Sequence, residues 1–206
     1  VKAINLANKH QVLIGAHPSY PDVENFGRKS LNLNKDELKN SLSAQLELFF
    51  DAIDKTKSQI HHIKPHGALY HDIASNIELA ELFLEVVDQF SQDVIIYTSP
   101  NSVLYEFPIS TQRIYSEVFA DRTYQTNGNL VSRKEPNSVL IKPEDISKQV
   151  LNLVLHQKVK THDDSEIHLD FNTICFHSDT PNAVQNLEFV NRVLQENNIK
   201  IEKAND

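Results

Sequence analysis

The stretch His61-His62-Ile63-Lys64-Pro65-His66-Gly67-Ala68-Leu69-Tyr70 decides how the rest of the chain is read. A short extended run ends in a lysine, a proline, a histidine and a glycine, and an amphipathic segment follows. Pro65 lacks a backbone donor and disfavours helical backbone at Lys64, so a strand stops there. Gly67 lets the chain turn sharply. A cation and an imidazole therefore stand where a strand passes into a helix, which in α/β proteins is where ligands bind.

The same order recurs on both sides. Val1 to Lys9 suits the last turns of a helix. Val12-Leu13-Ile14 reads as a strand buried on both faces, running into the irregular Gly15–Arg28 segment. Asn34 and Glu37 form a capping box ahead of a helix whose apolar stripe is Leu38, Leu42, Leu46, Phe49, Phe50 and Ile53. Beyond the opening stretch, a helix over about 77–90 turns Ala80, Phe83, Leu84 and Val87 inward. A strand at Val94–Tyr97, a short helix through Val103 and Leu104, and a strand at about 113–119 come next. Asn127-Gly128 signals a two-residue hairpin within a flap at about 121–133. Pro143 starts a helix with Ile146, Val150, Leu153 and Val154 inward. A polar linker over 158–168 leads to a strand at Thr173–Phe176. Pro181 opens a last helix with Val184, Leu187, Val190 and Leu194 as its apolar face.

Strands alternating with helices predict an α/β fold with a parallel sheet and right-handed crossovers. Polar clusters follow every strand rather than two neighbouring ones. That favours a single distorted (β/α) barrel domain over residues 1–206, with the clusters around a common mouth.

The 206 residues suffice for a substantial core, and 40% apolar with 23% charged residues describes a globular protein. A net charge of −8 without a basic stripe argues against a nucleic-acid partner. No apolar run approaches the ~20 residues that cross a bilayer, so no membrane partner is expected. One cysteine, Cys175, forms no internal disulfide and fits a reducing cytoplasm. The four glycines are too dispersed for either common phosphate-binding glycine loop. The chain has no methionine and opens within a helical pattern, which suggests a fragment.

The ionisable residues collect at strand ends. His17, Asp22 and Arg28 follow the first strand, Lys64 and His66 the second. Glu117, Asp121 and Arg122 follow the fourth, His177 and Asp179 the fifth. Such a set suits general acid–base work, metal binding or phosphate binding. Each has a bland reading. Asp121 with Arg122 makes a structural ion pair, Asp179 makes a helix N-cap, and Cys175 is a small buried thiol.

Four motifs raise the joint case. Gly15-Ala16-His17-Pro18-Ser19-Tyr20-Pro21-Asp22 with Phe26-Gly27-Arg28 resembles one signature of the LamB/YcsF family of 5-oxoprolinase A subunits. Lys64 to Tyr70 resembles a second. Glu117 to Tyr124, with Gly128 to Val131 and Arg133, resembles a third, and Cys175 to Pro181 a fourth. They stand in family order across nearly the whole chain. Ser178 replaces the family's usual glycine and His71 its usual asparagine. An acidic first strand and its following stretch are missing, so about 40 residues, the length of one β-α-β unit or more, and the first strands are expected to be absent.

The resemblance implies a distorted (β/α) barrel like that of polysaccharide deacetylases. It also implies ATP-dependent opening of 5-oxo-L-proline to L-glutamate, with ATP and magnesium, alongside partner subunits B and C. The catalytic candidates are His17, Asp22, Lys64, His66, Glu117, Asp121, His177 and Asp179. Arg28, Tyr70, Arg122 and Arg133 are candidates to hold substrate or phosphate. Two alternatives stay open. One is a metal-dependent amide or N-acetyl hydrolase, a divalent ion resting on His17, His66 and His177; the other is a substrate-binding subunit without catalysis.

Overall fold

The amide of Glu37 donates to the Asn34 side chain, and the Asn34 amide donates to the Glu37 carboxylate. This reciprocal cap satisfies two otherwise orphaned donors and starts helix α2 (Lys35–Thr56) where the sequence places it. The structure is a computed structural model and describes residues 1–91, 93–107 and 113–203. The chain divides into two compact units, Val1–Tyr115 and Ser116–Asp206.

The first unit holds α1 (Lys2–Lys9), β1 (Gly15–Ala16), α2, β2 (His62–Ile63), α3 (Gly67–Ser75), α4 (Ile77–Asp88) and β3 (Ile95–Thr98). A turn of 3₁₀-helix at Val103–Glu106 precedes β4 (Arg113–Phe119), which begins in this unit and runs into the next. Strands β1, β2 and β3 lie side by side and parallel, Gly15 opposite His62 and His62 opposite Ile95. Leu38, Leu42 and Leu46 of α2 meet Ile63, Leu69, Ile73, Phe83, Val87 and Ile96 in one core. Burying a leucine of this kind contributes about 2 kcal/mol.

The second unit pairs β4 in parallel with β7 (Thr173–Cys175), Val118 opposite Ile174. Helix α5 (Pro143–His156), with Pro143 in its first turn, packs against α6 (Ala183–Glu196) through Ile146, Val150, Val190 and Leu194. A second cluster gathers Val118, Tyr124, Leu153, Val159 and Leu169. The α/β class with parallel strands is therefore as expected.

Several local expectations are corrected. Val12 and Leu13 are exposed rather than doubly buried. Gln11 takes a left-handed φ of 55°, and the Val12 amide bonds the Ala7 carbonyl, so these residues close α1 instead of extending a strand. The flap turns one residue early. The Gly128 amide bonds the Gln125 carbonyl, and only Gly128 has positive φ, 84°, so Thr126 and Asn127 are the central pair and Gly128 is the bulge residue. The polar linker at 158–168 is a small antiparallel hairpin of β5 (Lys158–Lys160) and β6 (Glu166–His168), anchored by buried Val159. On α6 the inward column is Asn186, Val190 and Leu194; Val184 and Leu187 are exposed. Asn186 takes the inner position because its amide bonds the carbonyls of Ile141 and Pro181. Val154 likewise faces out.

Gly67 has φ +58°, and a Cβ there would stand 2.4 Å from the Gly27 carbonyl oxygen. Gly67→Ala is expected to cost about 2 kcal/mol or more, read as a lower urea midpoint with unchanged slope.

Candidate active site

In the first unit the ionisable residues gather where β1 and β2 end. The Lys64 amide bonds the Ala16 carbonyl, the His66 amide bonds the Pro18 carbonyl, and the Ala68 amide bonds the Gly27 carbonyl. These bonds dock the irregular 17–28 loop against the start of α3. His17 Nδ1 lies 2.6 Å from the Lys64 carbonyl, and His17 Nε2 lies 2.9 Å from His66 Nδ1. His66 Nε2 reaches the Phe26 carbonyl at 2.9 Å. Phe26 has φ 55°, a conformation costing of order 1 kcal/mol for a residue with a side chain, so this contact offsets real strain.

The cations of this corner sit on aromatic faces. The Arg28 guanidinium lies 5.2 Å from the centre of the Phe26 ring, and Lys64 Nζ lies 5.9 Å from that of Tyr70. Tyr70 is buried and forms the floor under Lys64. Asp22 shapes the loop: its Oδ1 accepts from the amide and side chain of Asn25, and its carbonyl accepts from the Gly27 amide. Tyr20 donates to Asp72 at 2.9 Å, and Ser30 donates to the other Asp72 oxygen, tying the loop to α3. Burial and then the Asp72 carboxylate push the Tyr20 phenol well up, so it stays a donor.

In the second unit, Asp121 follows β4 with no exposed surface. Its Oδ1 accepts from His177 Nδ1 at 2.8 Å, and its Oδ2 accepts from the His177 amide and the Thr180 hydroxyl. Burial pushes this carboxyl up, but the bonds from His177 and Thr180 outweigh it and hold it below its ordinary value. A charged Asp121 fixes the proton of His177 on Nδ1 and leaves the lone pair on Nε2. Phe119 stacks on the imidazole at 5.2 Å with planes 10° apart, and the His177 side chain is 23% exposed. This is a buried carboxylate orienting an accessible base.

The remaining candidates separate by what they touch. Arg122 is buried, its Nε donating to the Ser138 carbonyl at 3.1 Å and an Nη to the Val131 carbonyl at 2.6 Å. These bonds tie it to the flap. Arg133 stands 3.9 Å from Asp179. Asp179 is not the cap of α6, because Asn182 holds that position. Glu117 is buried beside Tyr124, whose phenol is raised by burial first and by Glu117 after it. Two contributors escaped sequence reading. Thr180 reads as part of a helix start, and Gln149, a polar helix residue, donates to the carbonyls of Phe119, Ala120 and Arg122. Among the described residues, no group of three or more His, Cys, Asp or Glu side chains is placed to hold a metal ion. Among the same residues, no helix is long and apolar enough to cross a membrane.

The LamB/YcsF family model matches residues 1–206. Proteins named as A subunits of 5-oxoprolinase are similar to the chain. That of Vibrio cholerae is 36% identical over 200 residues, spanning 95% of this chain and 80% of its own length. That of Pyrococcus horikoshii is 33% identical over 201 residues, spanning 97% and 79%. That of Staphylococcus aureus is 35% identical over 202 residues, spanning 98% and 81%. The crystal structure of the lactam utilization protein from Thermus thermophilus matches with a TM-score of 0.86 at 30% identity, over 98% of this chain and 81% of that one.

Because Asp121 titrates below its ordinary value in the folded chain, its charged form adds stability above the ordinary carboxylate range. That stability is lost as pH falls through the lower folded value. Asp121→Asn is expected to destabilise by about 2–3 kcal/mol above roughly pH 5. Urea unfolding across pH 3–7 should show the gap to the native chain narrowing below about pH 4.

Proposed function

The chain belongs to the LamB/YcsF family, and on that premise we propose that it is the A subunit of an ATP-dependent 5-oxoprolinase, opening 5-oxo-L-proline to L-glutamate together with subunits B and C. The observation that carries the reading is the Asp121–His177 pair: an acid kept charged by burial among donors, and a base kept in one tautomer by that acid.

The chemistry asks for this. A lactam carbonyl is a poor electrophile, and ring opening needs a hydroxyl delivered to its carbon and a proton delivered to its nitrogen. ATP, with magnesium, would supply the phosphoryl group that activates the amide oxygen, leaving ADP, and that group would depart as phosphate once water has taken its place on the carbon. Within the first unit, Arg28 and Lys64 suit a phosphate or carboxylate, because their cationic groups stand over aromatic faces at the loop. His177 Nε2 takes the proton of the attacking water, and Asp121 stabilises the imidazolium that forms. Thr180 holds Asp121, and Phe119 holds the plane of the ring. Arg122 and Gln149 act behind them, fixing the flap and the exit of β4.

The test is ATP-dependent glutamate release by the protein combined with subunits B and C. His177→Ala is expected to lower turnover by about 10²–10⁴-fold, with 5-oxoproline binding little changed. Asp121→Asn should also lose turnover, through the wrong tautomer. Turnover that survives His177→Ala would remove the proposed base, and no turnover by the native complex would remove the activity.

A further inference from the structure

The flap region carries two arginines, and their donors are used differently. Arg122 is buried and donates to the Ser138 and Val131 carbonyls. Arg133 has a side chain only 28% exposed and, among the described residues, makes no side-chain hydrogen bond to the protein. Its charged partner is Asp179, with Nη2 3.9 Å from Oδ1, which is beyond hydrogen-bond reach. A pair at that distance contributes little to stability. The guanidinium, five N–H donors in one plane, is thus held in place with its fork open.

The backbone fixes where that fork stands. The Val131 amide bonds the Thr123 carbonyl, and Arg122 holds the Val131 carbonyl. The Lys134 amide bonds the Ser132 hydroxyl and the Glu135 amide bonds the Ser132 carbonyl, so Arg133 follows directly on the first residue of a tight turn. Across from it, Asp179 belongs to the 177–180 segment, which the Asp121 carboxylate grips at the His177 amide and the Thr180 hydroxyl. Every group named lies in the second unit.

We propose that Arg133 reads a substrate carboxylate beside His177, so that the chain selects cyclic amides bearing a carboxylate over plain lactams. This rests on the ring-opening reading and adds the substrate feature that the second unit selects. In 5-oxoproline the carboxylate sits on the ring carbon bonded to nitrogen, across that nitrogen from the carbonyl that water attacks. Base and carboxylate anchor are therefore needed about a ring's width apart. His177 and Asp179, the partner of Arg133, are separated by two residues, which span at most about 7 Å of chain. A guanidinium suits a carboxylate because two parallel N–H donors match its two oxygens. Asp179 makes no such bonds to Arg133, so a substrate carboxylate displaces little.

The test is calorimetric binding, without ATP, of 5-oxo-L-proline, its carboxamide and 2-pyrrolidinone to the protein combined with subunits B and C. The native protein should bind 5-oxoproline at least about tenfold more tightly than the two uncharged rings. Arg133→Gln should remove that preference, weakening 5-oxoproline about 10–100-fold and leaving the uncharged rings unchanged. Arg133→Lys keeps the charge without the fork and should fall between. Asp179→Asn should bind 5-oxoproline as the native protein does, or up to about threefold more tightly. A native protein without the preference, a preference that survives Arg133→Gln, or an equal loss for all three ligands in that variant would overturn the inference. So would an Asp179→Asn variant that loses 5-oxoproline as Arg133→Gln does, because the pair would then be structural. In turnover, Arg133→Gln should raise KM for 5-oxoproline far more than it lowers kcat, and the reverse split would overturn the binding role. Binding needs no turnover: an Arg133-dependent preference without glutamate release keeps the carboxylate site and removes the ring-opening activity.

Discussion

A carboxylate with no exposed surface is the constraint on which the second unit depends. An ion of this kind is costly to bury unless donors surround it. Asp121 has three, from the His177 ring, the His177 amide and the Thr180 hydroxyl, and they come from the segment that follows β7. The pairing of β4 with β7 brings that segment to it, with Phe119 opposite Cys175. Gln149 and Arg122 then take up the carbonyls that the end of β4 and the flap would otherwise leave buried. The base of the proposed reaction is thus a by-product of solving a solvation problem.

The first unit meets a related problem differently. The imidazoles of His17 and His66 rest against the backbone carbonyls of Lys64 and Phe26, beside the left-handed turn at Phe26–Gly27.

Much of this was legible in the chain. Alternating apolar runs and capped helices point to parallel strands with the right helices between them, because the capping box at Asn34 and the proline at Pro143 are local signals. The motifs also mark the strand ends at which ionisable residues collect, and within each unit the paired histidines and the Asp121–His177 couple come from those ends. What stayed illegible depends on distant partners. Val12 looks like a strand residue until Ala7 claims its amide. Nothing local to Arg122 announces its bonds to the Ser138 and Val131 carbonyls. Asn186 replaces Val184 and Leu187 on the inner column of α6 because Ile141 and Pro181 need a donor. Thr180 offers no sign of its bond, since a threonine before a proline suits a helix start equally well.

The tautomer of His177 tests the central claim most directly. ¹⁵N NMR at neutral pH, on the free chain, should place the proton on Nδ1 and leave Nε2 unprotonated, with a mixture of the two tautomers in Asp121→Ala. A proton on Nε2 in the native chain would contradict the account, because a charged Asp121 facing Nδ1 could not then be orienting a base.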